Sequence, residues 1–182
     1  MGDRYEIRLA GSGGQGVILA AVILGEAAVL HEGLAAVQSQ SYGPEARGGS
    51  SKSEVVISKE AIDYPKATAL DLQVILTQKA CDEYAQDSKP GSAMILDDFF
   101  IDEIPDVDAE VFHLPIVRTA REKIGKEIVV NMVALGSAAG VLERKGILKP
   151  ESIRKAILAR VPKGTEELNG RAFDEGYALV KK

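Results

Sequence analysis

Chemically reactive side chains are scarce in this sequence. Its 182 residues include one cysteine, two histidines and no tryptophan. A single cysteine forms no internal disulfide. It also rules out a four-thiolate zinc site or an iron–sulfur cluster held by this chain alone. His31 and His113 stand far apart, and no HExxH-type pair occurs. Aromatic residues amount to 5%, poor material for stacking bases. Lys and Arg number 22 against 27 Asp and Glu, so the net charge is -5. That balance argues against nucleic acid as a partner, since a phosphate-backbone binder needs a basic patch. It argues, less strongly, against an anionic membrane surface. Long apolar runs are missing too. The most apolar stretch, Val17 to Leu30, is interrupted by Gly25 and Glu26 and falls short of the ~20 residues a membrane span requires. Met1–Glu6 is mixed in charge rather than basic, unlike the start of a signal peptide. A cytoplasmic location is therefore expected.

What is present suits a soluble globular protein: 46% hydrophobic and 27% charged residues. The length fits one domain of ordinary size, residues 1–182. Such a chain buries roughly two thirds of its unfolded surface without staples. Tyr5–Ala10 alternates apolar and polar residues and predicts a strand. Val17–Leu30 predicts a mostly buried helix closed near Gly33. Leu34–Val37 predicts a short second strand, Ser39–Ser51 a loop and Lys52–Ser58 a third strand. Asp71–Leu76, Ser92–Leu96 and Ala109–Leu114 read as further strands, with a helix over Gln78–Gln86. Helices are expected over Val117–Ile124, Val129–Arg144, Pro150–Arg160 and Glu166–Val180. Pro150 suits a first helical position, where its missing N–H has no partner to lose. Alternating strands and helices imply an α/β, Rossmann-like fold. The sheet is expected to be mainly parallel, with helices on both faces and a helical C-terminal part.

Gly11-Ser12-Gly13-Gly14-Gln15-Gly16 fits G-x-G-x-x-G between a predicted strand and a predicted helix. Glycines permit a tight turn and let backbone N–H groups approach an anion, which the helix N-terminus also favours. The alternative is that these glycines serve only close strand–helix packing. Two familiar nucleotide sites are incomplete. A dinucleotide fold wants an acid at the end of its second strand, and Val37–Ser41 reads V-Q-S-Q-S. A P-loop wants Lys and Ser or Thr after its last glycine, and Val17 and Ile18 stand there.

Ser41–Gly49 carries one cation, Arg47, beside two glycines. In a doubly wound sheet this loop shares the carboxyl edge with the glycine turn. Arg47 then either reaches an anion there or pairs with a nearby acid such as Glu45. Asp97 and Asp98 close a strand and are expected to cap the next turn. Cys81 lies on a predicted helix without a nearby histidine and reads as a structural thiol. His113 reads as a packed histidine, Asn131 as a helix cap and Asn169 as a turn or cap residue.

The glycine cluster together with Ser41-Tyr-Gly-Pro-Glu-Ala-Arg-Gly-Gly49 resembles the gamma subunit of 2-oxoacid:ferredoxin oxidoreductases. Ser53–Ser58, Asn131-Met-Val-Ala-Leu-Gly136 and Asn169-Gly-Arg-Ala-Phe-Asp-Glu-Gly176 extend the resemblance over nearly the whole chain. The Q-S-Y-G-P-E-A-R-G-G version looks most like the 2-oxoglutarate enzymes; indolepyruvate enzymes have a related small subunit. The resemblance implies a subunit of a complex that decarboxylates a 2-oxoacid, joins the acyl group to coenzyme A and reduces ferredoxin. It implies alpha and beta partners, and in some complexes a delta partner. Thiamine diphosphate and the iron–sulfur clusters are expected on those partners. No cofactor is expected on this chain alone, apart from a contribution to coenzyme A binding by Gly11, Ser12, Gly13, Gly14, Gln15, Gly16 and Arg47. The competing readings are a free-standing NAD(P)-dependent oxidoreductase and a purely structural or regulatory subunit.

Overall fold

The structure, a computed structural model, describes residues 4–42 and 50–181. Six strands form one sheet: β1 (Arg4–Ser12), β2 (Ala35–Tyr42), β3 (Ser50–Ser58), β4 (Leu70–Ile75), β5 (Ser88–Asp97) and β6 (Ala109–Leu114). The principal helices are α1 (Val17–Glu26), α2 (Gln78–Tyr84), α3 (Ile116–Arg118), α4 (Val130–Arg144), α5 (Pro150–Arg160) and α6 (Glu166–Val180). A single wide turn, Ala27–His31, continues α1, and another, Thr119–Ile124, continues α3.

The strands lie in the order β2-β3-β1-β4-β5-β6. Strands β1, β4, β5 and β6 are mutually parallel. Strand β3 is antiparallel to both β1 and β2, so β2 runs in the direction of β1. The sheet is thus mainly parallel, as expected. Two details differ from the sequence reading. The second strand extends to Tyr42 and the third starts at Ser50, so both ends of the expected Ser39–Ser51 loop are strand; the part between, 43–49, lies outside the described residues. The serines and glutamines of these strands pair through backbone groups, which periodicity of apolar residues does not reveal. Gly11 and Ser12 also belong to β1, paired with Ser51 and Ser50. The glycine turn proper is therefore Gly13–Gly16.

Each face has its own core. Tyr5, Ile7, Leu9, Val55, Ile57, Leu72, Val74 and Ile95 pack against α1, α4, α5 and α6. Ala10, Ile75, Met94 and Leu96 pack against α2 through Ala80, Cys81 and Tyr84. Central strands covered on both faces read as continuous apolar runs, which explains Val74–Leu76 and Ala93–Leu96. Where β1 and β3 present polar residues, charges are paired. Arg8, buried, donates to Glu54 at 2.8 Å, pairs with Asp87 and lies 5.1 Å from the Tyr84 ring.

Helices α4 and α6 cross very closely. A Cβ on Gly136 would lie 2.0 Å from the Phe173 carbonyl oxygen, and one on Gly176 would lie 1.9 Å from that of Val133. Ser137 Oγ donates to the Gly176 carbonyl at 3.1 Å. Two segments singled out in the sequence, Asn131–Gly136 and Asn169–Gly176, thus meet as one helix crossing. Gly176→Ala is expected to destabilise by about 1–3 kcal/mol, the range of core overpacking. Gly25→Ala is the control: it lies within α1 with open space around its Cβ, and is expected to be neutral or slightly stabilising. Chemical denaturation of the two variants checks this.

The 64–69 segment is fastened to the sheet by Arg4 and Glu6. Arg4 donates to the carbonyls of Tyr64 and Lys66, each at 2.6 Å. Glu6 accepts from the N–H groups of Thr68 and Ala69. Burial opposes ionisation of Glu6, but hydrogen bonds from Ala69, Arg4 and Thr68 outweigh it and hold the carboxyl below its usual range. A lowered folded pKa stabilises above the unfolded value and is lost as pH falls through the folded one. Glu6→Gln is therefore expected to cost most stability near neutral pH, with the gap to wild type closing in acid. Denaturation midpoints measured across that range check it.

Candidate functional site

The carboxyl ends of β1, β4 and β5 open onto a cleft of about 480 Å³, lined among others by Ser12, Gly13, Gly14, Gln15, Thr77 and Phe100. The chain leaves β1 for α1 on one face of the sheet and leaves β4 for α2 on the other. Such a divergence between neighbouring parallel strands opens a crevice where α/β proteins bind ligands. The volume lies in the range of small-molecule sites.

The turn is shaped by its own side chains. Gln15 Oε1 accepts from the Ser12 N–H at 2.8 Å, and Gln15 N–H donates to the Ser12 carbonyl at 3.2 Å. A Cβ on Gly11 would lie 2.4 Å from that Gln15 oxygen. Gly14 and Gly16 have φ of 93° and 73°, a region costly for residues with a Cβ. Among the described residues nothing accepts the N–H of Gly13 or Gly14, and α1 begins without a side-chain cap. The cleft is therefore offered backbone donors and the positive end of a helix dipole.

Asn131 braces this turn from α4. Its Nδ2 donates to the Gly16 carbonyl at 3.4 Å, and a Cβ on Gly16 would sit 2.5 Å from the same nitrogen. Asn131 was expected to cap its own helix; it supports another element instead. Asn169 lies inside α6 rather than in a turn, and bonds back to Thr165 O at 2.8 Å. The structure thus brings Gly11 through Gly16 together. Arg47 falls outside the described residues.

Residues not singled out in the sequence complete the cleft. Thr77 follows β4 and caps α2, accepting from the Ala80 N–H at 3.4 Å. Phe100 follows β5 and stacks edge-on against Phe99, with centroids 4.9 Å apart. Arg121 lies over the Phe99 ring at 4.6 Å and donates to Glu127, another lining residue, at 2.7 Å. That hydrogen bond, before any other influence, holds the Glu127 carboxyl below its usual range. Ile128, also lining the cleft, is 83% exposed. Position at a strand's carboxyl end was the signal available for Thr77 and Phe100. Ile128 gave none, because one apolar residue in a short turn has no periodicity.

The other candidates have structural places. Asp97 Oδ1 accepts from Val117 N–H at 2.8 Å, and Oδ2 accepts from Phe99 and Phe100 N–H at 3.1 Å each. It caps the following turns, as expected, and burial raises its pKa despite these bonds. Asp98 pairs with Arg118 at 3.5 Å. His113 Nε2 hydrogen-bonds the Ile101 carbonyl at 2.9 Å. Among the described residues no cluster of three or more His, Cys, Asp or Glu could hold a metal ion. Nor is any of their helices long and apolar enough to cross a membrane.

A nicotinamide dinucleotide site meets a geometric obstacle here. The ribose-binding acid works because the second strand neighbours the first. In this sheet β3 lies between β1 and β2, and the end of β2 carries no acid.

Residues 6–179 match the family described as pyruvate ferredoxin/flavodoxin oxidoreductase, and the chain belongs to that family. Within it the chain is similar both to subunits of its own length and to part of longer chains. The 2-oxoglutarate synthase subunit KorC of Methanocaldococcus jannaschii is 51% identical over 98% of this chain and 95% of its own. The crystal structure of a keto/oxoacid ferredoxin oxidoreductase gamma subunit from Geobacter sulfurreducens matches with a TM-score of 0.89. That match has 44% identity and covers 98% of this chain and 97% of that one. A 2-oxoglutarate:ferredoxin oxidoreductase from Magnetococcus marinus, solved with 2-oxoglutarate, coenzyme A and succinyl-CoA bound, has the same fold, with a TM-score of 0.82 and 24% identity. The match spans all of this chain but 32% of that longer one.

Cys81 allows a direct check on the chemistry of the chain. It is buried, and desolvation, with the Asp82 charge, pushes its thiol up to about 11. Folded protein at neutral pH is expected to resist a thiol-specific disulfide reagent, and denatured protein to react completely. Absorbance of the released chromophore reads both states.

Proposed function

We propose that this chain is the gamma subunit of a 2-oxoglutarate:ferredoxin oxidoreductase, and that its glycine turn receives the phosphates of coenzyme A. The whole complex would decarboxylate the oxoacid, transfer the acyl group to coenzyme A and pass electrons to ferredoxin. Thiamine diphosphate and the clusters belong to the alpha, beta and delta-type partners in this reading. The remainder of the chain acts as scaffold for them.

The observation that carries the coenzyme A assignment is the pair of N–H groups at Gly13 and Gly14, without an acceptor among the described residues, beside an uncapped helix start in the carboxyl-edge cleft. Such donors recognise phosphate without a dedicated side chain. Coenzyme A carries a 3′-phosphate on its ribose, so the acid of a nicotinamide site would repel it, and none stands at the end of β2. Arg47, which stands between β2 and β3 in the sequence, is the cation assigned to the same anion in this reading. The named relatives of this family and the coenzyme A bound in the Magnetococcus enzyme support the same reading.

The test uses the assembled complex. Gly13 has open space where a Cβ would go, and its φ is not positive. Gly13→Leu therefore fills the cleft without backbone strain. Gly13→Leu and Arg47→Ala are each expected to raise KM for coenzyme A by about tenfold or more, equivalent to about 1.4 kcal/mol. The KM for the oxoacid is expected to stay unchanged. Loss of assembly with an unchanged coenzyme A constant would instead assign these residues to an interface. Saturable NADH binding by the isolated chain would favour the free-standing dehydrogenase.

A further inference from the structure

The cleft has two unlike ends. The glycine turn lies beyond β1, Thr77 beyond β4 and Phe100 beyond β5. Strand β4 stands between β1 and β5, so the cleft spans two strand spacings, about 10 Å, from the turn to Phe100. The near end offers backbone N–H groups. The far end is apolar, with Phe100, Ile128 and Val130. Ile128 is 83% exposed, more than any other large apolar side chain among the described residues, and Phe100 is 38% exposed. Both stand on a fixed frame. Asp97, fully buried, accepts from the Phe99 and Phe100 N–H groups at 3.1 Å each. The Phe99 and Phe100 rings pack at right angles, and the Arg121 guanidinium lies 4.6 Å from the Phe99 centroid. Arg121 also donates to Glu127 at 2.7 Å, so the acid next to Ile128 has its charge answered. A single exposed apolar residue is ordinary. Here an aromatic ring and Ile128 share one cleft with donors for an anion.

We infer that Phe100 and Ile128 hold the adenine ring of coenzyme A, stacked on Phe100 and covered by Ile128, while its phosphates meet the glycine turn. A ligand that is anionic at one end and flat and uncharged at the other matches both ends of the cleft. The nucleotide half of coenzyme A has that form, and it is rigid enough to set base and phosphate at a fixed separation. The pantetheine half is a flexible chain that must leave the cleft to bring its thiol to another subunit. Stacking on an aromatic face and removal from water both favour the ring at this wall. The inference rests on the coenzyme A reading. It adds the residues that distinguish a nucleotide from any other anion the turn could accept.

Competitive inhibition measured on the assembled complex tests it. Adenosine 3′,5′-bisphosphate represents the adenine end of coenzyme A, and 4′-phosphopantetheine the other end. The bisphosphate is expected to compete with coenzyme A in the wild type. Phe100→Ala is expected to raise its inhibition constant about tenfold, within the range of one base–aromatic stack. Ile128→Ala is expected to act in the same direction by a smaller factor. Inhibition by 4′-phosphopantetheine is expected to stay unchanged in both variants. Both side chains are exposed, so the isolated variants are expected to melt close to the wild-type temperature. A wild-type complex indifferent to the bisphosphate, an inhibition constant unmoved by Phe100→Ala, or equal losses for the two fragments would overturn the inference. In each of those cases a coenzyme A KM still raised by Gly13→Leu leaves the functional reading standing. A KM unmoved by Gly13→Leu as well sinks that reading too. Variants that shed their companion subunits, while the complex that survives binds the bisphosphate normally, would make this wall an interface and overturn the inference.

Discussion

Helix α4 holds the position it does because Cβ atoms are missing at Gly16, Gly136 and Gly176. The last two let α6 close against α4 to within backbone contact. The first lets Asn131, near the start of α4, lie directly under the glycine turn. Protein interiors are packed at crystal-like density, so a single methyl group at any of these points must displace a helix or strain its neighbours. Three distant parts of the sequence are thereby one mechanical unit: the turn, α4 with Asn131, and the C-terminal helix α6. The geometry of the cleft is set by that unit more than by any side chain within it.

The sheet handles charge in a complementary way. Arg8 is buried beside Glu54 and Asp87, and Glu6 is buried among N–H donors and Arg4. Each buried charge has partners that replace water, as it must to stay ionised. Arg8 and Glu6 are thus satisfied within the sheet, away from the cleft. In the cleft the partners on offer are backbone N–H groups, whose dipoles are fixed in place and need no protonation. The acid in the cleft, Glu127, is committed to Arg121.

Much of this architecture was legible in the sequence, and the failures share one cause. Alternation located β1, and apolar runs and apolar-rich segments located α1, β4, α4, α5 and α6, because their apolar residues face a core. The second strand was cut short at Val37 and its neighbour started late, because Ser, Gln and Lys carry no such period. The glycine motif pointed to the turn that borders the cleft, yet the same motif suggested a dinucleotide fold that the strand order opposes. Only long-range pairing places β3 between β1 and β2, and no local pattern encodes it. Asn131 was visible as a motif residue, but its hydrogen bond to Gly16 spans 115 positions. Phe100, Glu127 and Ile128 reach the cleft through loops and turns, where sequence carries position only through the elements on either side.

The two roles considered for this chain, ligand contact and scaffold, draw on the same residues. A turn that offers bare N–H groups has no grip of its own; its shape comes from Gln15 within and Asn131 behind. Asn131 is in turn held by a helix crossing that spans the C-terminal third of the fold. Any partner pressing on α4 or α6 therefore bears on the turn through rigid, close-packed contacts rather than through a flexible loop. Such a design suits the subunit role proposed above. It can contribute a fixed anion-accepting surface to a site whose reactive atoms lie on other chains, and hold that surface in register with them. Under the proposed function, the shortage of cysteine, histidine and tryptophan fits a division of labour in which this chain supplies position, made here mostly of glycine and backbone.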